Sequence, residues 1–164
     1  MTAECDVLIV GGGPAGLAAA EAASKLNVRT ILLERQNEIG YPVHTSGGSW
    51  ISDMKALAIP ENLYHPITKV VFVSPNCEVP LNYHPAVACV LDVRGVYQHL
   101  ASRAITAGAT LRVRHTVETT IVENDRIIGV LTFTYIKNSH PDRMFGKITC
   151  IFCSKMLHDT RIEH

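Results

Sequence analysis

A run of glycines and one distant carboxylate carry the chemistry that can be read first. Gly11, Gly13 and Gly16 stand in the spacing Gly-x-Gly-x-x-Gly within Gly11-Gly12-Gly13-Pro14-Ala15-Gly16. The apolar Val7-Leu8-Ile9-Val10 precedes them, and an alanine-rich stretch follows. Glu34 ends the next apolar run, Arg29-Thr30-Ile31-Leu32-Leu33-Glu34. A tight turn from strand to helix aims backbone N–H groups and the positive end of the helix dipole at one point, which suits a diphosphate. A carboxylate ending the following strand can accept hydrogen bonds from ribose hydroxyls. Together these parts imply a dinucleotide held by a βαβ unit.

Each residue of the motif has a physical task. Gly11 permits the tight turn, Gly13 lets a pyrophosphate approach the backbone, and Gly16 lets the helix pack closely on the strand. Pro14 falls in the first helical turn, where its missing N–H removes nothing the helix needs. Gly12 and Ala15 complete the cradle. The charge on Glu34 would repel a 2′-phosphate, which argues against NADP at this position. Arg35 reads equally well as a solvated charge or as a contact to adenine or ribose.

Periodicity supplies the elements that must position these groups. Residues 5–10 read as a strand buried on both faces, because the apolar run is continuous. A helix then runs to about residue 26. Ala15, Ala18, Ala19, Ala22, Ala23 and Leu26 are expected on its inner face, Glu21 and Lys25 as an outer i, i+4 pair, and Asn27 as its stop. Residues 29–34 form the second parallel strand. A short helix follows residue 51, with strand candidates at 69–75, 78–81 and 88–91. Asp92 caps a helix over 93–107 that Gly108 closes. A third parallel strand at 109–114 leads to a hairpin, 116–122 and 126–131, around Glu123-Asn124-Asp125.

Between the second strand and the next helix lie Gly40-Tyr41-Pro42-Val43 and Ser46-Gly47-Gly48. This loop, together with the glycine turn and Glu34, resembles FAD-dependent oxidoreductases of the geranylgeranyl reductase type. Those belong to the wider glutathione-reductase-like, p-hydroxybenzoate-hydroxylase-like flavoproteins. The segment Arg94-Gly95-Val96-Tyr97-Gln98-His99-Leu100-Ala101 is similar to a family segment of arginine, aromatic, acid and Leu-Ala, with Gln98 where an acid is usual. The resemblance implies an α/β fold: a Rossmann-like FAD-binding βαβ with a parallel sheet and an antiparallel meander. It implies that the loop carrying Ser46, Gly47 and Gly48 lies over the flavin. Arg94 is then expected to orient flavin and diphosphate, and the backbone of Val117 to meet the adenine edge. The implied activity is flavin-mediated hydride transfer, with NAD(P)H as electron donor and isoprenoid double bonds of a lipid as substrate. No acid or base is assigned. The alternatives are a catalytically inactive fragment that binds FAD or NAD, and an NAD enzyme using the same fingerprint.

Composition bounds the remainder. The 164 residues carry 15 basic and 15 acidic side chains, which gives no electrostatic basis for binding nucleic acid. No apolar run approaches the roughly 20 residues that span a bilayer. The first apolar run is short and flanked by Glu4 and Asp6, unlike a signal peptide. Five scattered cysteines favour reduced thiols and a cytoplasmic setting, with peripheral membrane contact implied by the resemblance. Cys150 and Cys153 with His158 and His164 have spacings too short for a zinc finger, so no metal is expected.

The resemblance covers residues 4–131. This sets an FAD-binding domain at 1–131, with inserted strands at about 65–91, and a divergent tail at 132–164. The family's Gly-Asp pair for the ribityl chain is absent, so the chain reads as the N-terminal part of a flavoprotein. The first strand is then expected to lack a neighbour, exposing an edge that invites self-association and weak FAD retention.

Overall fold

A computed structural model describes residues 2–137 and 144–153. In chain order the elements begin with β1 (Thr2–Cys5), β2 (Val7–Val10), α1 (Pro14–Ser24) and β3 (Thr30–Leu33). Next come β4 (Gly48–Trp50), α2 (Ile51–Ala56), β5 (Tyr64–Ile67), β6 (Lys69–Ser74), β7 (Cys77–Asn82) and β8 (Ala88–Leu91). The last are α3 (Val93–Thr106), β9 (Thr110–Arg112), β10 (Thr116–Glu123), β11 (Arg126–Lys137) and β12 (Met144–Cys153). Strands β2, β3 and β9 form a parallel sheet in the order β2-β3-β9. A second sheet runs β1-β12-β11-β10, a third β4-β8-β5, and β6 and β7 form a separate hairpin.

The parallel sheet lies between two layers, and β3 shows why. All of its residues are buried, and alternate side chains of a strand point to opposite faces. Leu32 joins Leu17 and Ala20 of α1 and Ala101 and Ala104 of α3 in one cluster. Ile31 and Leu33 join Cys5, Val130 and Ile151 in another, so the four-stranded sheet covers the opposite face. Turn residues behave as their types dictate. Asn27 takes a positive φ after α1, and Asn124 and Asp125 both do so in the β10–β11 hairpin. The Asp92 carboxylate caps α3 by accepting from Gly95 N at 2.9 Å.

Several expectations need correction. The strand expected over 5–10 is broken at Asp6, whose carboxylate takes the backbone N–H and guanidinium of Arg29 at 2.9–3.2 Å. Nor is it buried on both faces. Among the described residues no strand pairs with the outer edge of β2, and Val10 is 59% exposed. Helix α1 stops at Ser24, and Leu17, Ala20, Glu21 and Ser24 form its buried face. Of the alanines expected inside, Ala15, Ala18, Ala19 and Ala22 face solvent, as does Leu26. The inner face follows the one large apolar residue, Leu17, since alanine loses little on either side.

Glu21 therefore lies inside, 8% exposed, where the sequence placed it in an outer pair. Lys25 meets it as expected at 2.7 Å, and Arg103 of α3 reaches it at 2.9 Å. Hydrogen bonding from Lys25, then from Arg103, holds its carboxyl below the usual carboxylate range against the opposing effect of burial. A depressed folded-state pKa stabilises the fold above the unfolded value near 4.5 and ceases to do so as pH falls through the folded value. Glu21→Gln is therefore expected to flatten the loss of stability below pH 4.5. Urea denaturation of both proteins from pH 3 to 7 checks this.

The tail is the largest departure. The boundary expected at residue 131 falls inside β11, and β12 extends the same sheet. Strand β12 runs antiparallel to β11 and parallel to β1, pairing Thr2 with Cys150 and Cys5 with Cys153. The start of the first strand thus has a neighbour along β1, while the outer edge of β2 carries no paired strand among the described residues. Gly129 permits this closure, because a Cβ there would collide with the carbonyl oxygen of Ile151. Gly129→Ala is expected to cost about 1–3 kcal/mol, read as a lower urea midpoint.

Candidate functional site

Backbone hydrogen bonds bring the glycine turn and the end of β3 together. Gly11, at φ +103°, lies in the left-handed region and donates its N–H to Leu33 O at 2.8 Å. Gly16 sits so close to Gly11 that a Cβ would strike the Gly11 carbonyl oxygen. A Cβ on Gly13 would meet nothing within 4 Å, which leaves that face of the turn open to a ligand. Helix α1 begins at Pro14 with no side-chain cap and no acid in its first turn. Its first N–H groups and dipole are therefore available to an anion.

Glu34 ties this turn to the next. Its Oε2 accepts from Gly12 N at 2.7 Å and its Oε1 from Gln36 N at 2.8 Å. Each carboxylate oxygen keeps a further lone pair that can accept from a hydroxyl. The β9–β10 connection docks on the same segment. Glu34 N donates to Arg112 O at 2.9 Å, His115 N to Glu34 O at 2.9 Å, and Arg114 N to Gln36 O at 2.8 Å. These bonds set the start of β10 beside the end of β3.

The result is a cleft of about 290 Å³ at the carboxyl ends of β2 and β3. Val10, Gly11, Leu33, Glu34, Arg35, His115, Thr116 and Val117 line it. In open α/β sheets ligands bind at this end of the strands. The volume sits at the low end of the roughly 300–1,000 Å³ of ligand pockets, which suits part of a dinucleotide. Gly11, Glu34, Arg35 and Val117, all picked out in the sequence, thus meet in one place. Sequence reasoning missed Val10, Leu33, His115 and Thr116. The available signal was their adjacency to Gly11, Glu34 and Val117. His115 Nδ1 lies 2.7 Å from Val113 O, and since a carbonyl only accepts, Nδ1 carries the proton.

The other expected residues lie outside the cleft's lining. Gly47 is buried against Leu91 and Val93, and its carbonyl accepts from Leu91 N at 2.9 Å. Ser46 precedes it on the exposed side, and Gly48 opens β4. Arg94 pairs with Glu38 at 2.5 Å, and Gln98 donates to Ile39 O at 2.6 Å. Gln98 thereby anchors the loop to α3 through a neutral amide. Among the described residues no group of three or more His, Cys, Asp or Glu could hold a metal. His158 and His164 lie outside the described residues. No helix among the described residues is long and apolar enough to cross a membrane.

Comparison with known proteins places this geometry. The model of the Thi4 family matches residues 1–151. A digeranylgeranylglycerophospholipid reductase of Picrophilus torridus is 27% identical over 137 residues, covering 79% of this chain and 34% of that protein. A thiamine thiazole synthase of Aeropyrum pernix is 30% identical over 148 residues, covering 89% of this chain and 48% of that protein. The solved structure of a geranylgeranyl bacteriochlorophyll reductase-like protein from Thermoplasma acidophilum superposes with a TM-score of 0.75 at 25% identity. It covers 93% of this chain and 38% of that one. The resemblance to geranylgeranyl reductase-type flavoproteins is borne out, and so is the mixed α/β fold of FAD-binding flavoproteins. The chain spans about a third of the length of the first reductase relatives it matches.

Proposed function

Since the chain belongs to the Thi4 family, we propose that it binds FAD and serves as the cofactor-binding part of a flavin-dependent oxidoreductase. The observation that carries this reading is the Gly12 N to Glu34 carboxylate bond at 2.7 Å beside the cleft. It joins the diphosphate turn and the ribose acceptor in one rigid unit. The residues fit the cofactor: the uncapped turn of α1 and the open face at Gly13 suit its diphosphate. Glu34 would accept from the ribose, Arg35 and the backbone of Val117 would contact the adenosine half, and Arg94 with the Ser46–Gly48 loop would hold the flavin half. Bound FAD would supply the hydride-accepting and hydride-donating N5 of its ring, and no residue of this chain is assigned as acid or base. Holding and orienting the cofactor is the work of these side chains.

The substrate class we propose is an isoprenoid double bond in a lipid, reached by peripheral contact with a membrane, with NAD(P)H as electron donor. It follows the reductase relatives and rests on analogy. The open edge of β2 is where a second copy would pair, which sizing chromatography reads directly. To test the oxidoreductase reading, the purified chain is loaded with FAD, reduced with dithionite and mixed with an electron acceptor. Reoxidation faster than that of free reduced FAD supports it. Bound FAD with no such acceleration identifies a binding module without turnover.

A further inference from the structure

Strands β1 and β12 run parallel in a register that sets Cys5 directly opposite Cys153. Neighbouring strands lie roughly 4.7–4.9 Å apart, inside the roughly 4.4–6.8 Å between Cα atoms that a disulfide spans. The two thiols reach across reciprocally. Cys5 Sγ donates to Phe152 O at 3.6 Å, and Cys153 Sγ donates to Asp6 O at 3.0 Å. Each sulfur therefore lies beside the stretch of backbone that carries the other. Cys153 packs against the cluster that contains Cys5, so the two side chains share one face of the sheet. Cys5 is fully buried and Cys153 half-buried.

We propose that Cys5 and Cys153 are a redox-responsive pair that closes to a disulfide, tying the first strand to the last described one. The site is separate from the cofactor cleft and does not depend on the proposed function. The oxidant is hydrogen peroxide. It reaches Cys153, the more exposed sulfur. The peroxide O–O bond breaks, an S–O bond forms, and Cys153 becomes a sulfenic acid as one water leaves. Cys5 then attacks that sulfur. An S–S bond forms, the S–O bond breaks, and a second water leaves with the Cys5 proton. Two thiols lose two electrons in all, and the peroxide gains them.

Burial, then the neighbouring Cys153, pushes the Cys5 thiol up to about 11. Because the thiolate is the nucleophile and burial disfavours it, the closing step is slow at neutral pH and accelerates as pH rises. The bond encloses nearly the whole described chain, the case in which a cross-link restricts the unfolded state most. It also fixes β1, which leads through Asp6 into β2 and the glycine turn. Oxidation is expected to raise the melting temperature by roughly 5–10 °C.

The test uses the native chain. It is treated with one equivalent of hydrogen peroxide, denatured with N-ethylmaleimide present, digested and mapped by tandem mass spectrometry. The expected result is a peptide pair joined through Cys5 and Cys153, lighter by two hydrogens and released by dithiothreitol. The rise in melting temperature should accompany it and vanish in Cys153→Ser. Both residues recovered as maleimide adducts while the exposed Cys77 is oxidised would overturn the proposal. So would Cys153 recovered as sulfinic acid beside alkylated Cys5. The map needs no variant, so a folding defect in Cys153→Ser leaves it decisive.

Discussion

Gly16→Ala is expected to lower FAD affinity at least 100-fold and to cost the fold about 2–4 kcal/mol. The atom the new Cβ would strike belongs to the backbone. The Cβ would collide with the Gly11 carbonyl oxygen, with the Gly11 carbonyl carbon at 3.3 Å and Ile9 Cγ2 at 3.4 Å behind it. A flexible side chain could give way, but this turn is held by Gly11 N on Leu33 O and by Leu17 N on Gly13 O at 2.9 Å. Relief must therefore lift α1 from β2, which moves the first-turn N–H groups away from the proposed diphosphate position and opens the cluster around Leu17. Flavin fluorescence titration reads the first effect, and urea denaturation the second. A variant that binds FAD normally would mean that the turn does not hold the diphosphate.

Glu34→Ala is the second large effect, expected to weaken FAD binding about 10–100-fold. The carboxylate does two tasks: it accepts from Gly12 N and Gln36 N, and in the proposed complex it also accepts from the ribose. Removing it leaves two backbone donors without their acceptor, at about 1–3 kcal/mol for each donor that water does not reach. Glu34→Gln separates the tasks. Its single carbonyl oxygen can serve one of the two backbone donors, while its NH₂ can serve neither. The glutamine variant is therefore expected to fall between wild type and alanine in both urea midpoint and FAD affinity.

Much of this site could be read from residue types, because local chemistry decides it. The glycine spacing, Glu34 at the end of a strand, the αL residue Asn27, the Asp92 cap and the Asn124-Asp125 turn each act within a few residues. What escaped the sequence depends on distant partners. Glu21 read as an outer residue because Arg103, which draws it inward, lies 82 positions away. The inner face of α1 was misread because alanines mark no side strongly, leaving Leu17 to decide. Strand β12 was hidden for the same reason. Its place depends on β1 at the other end of the chain, and the residues after 131 match no motif that names a neighbour. His115 and Thr116 escaped because only the fold sets the β9–β10 connection against Glu34.

Cofactor choice is read by one titration: fluorescence of the purified chain against FAD, FMN and NAD at constant salt. Saturable binding of FAD is expected, with weaker binding of FMN, which lacks the adenosine half proposed for the cleft at Glu34, and a preference for FAD over NAD. Equal affinity for FAD and FMN, or binding of NAD with none of FAD, would contradict this reading.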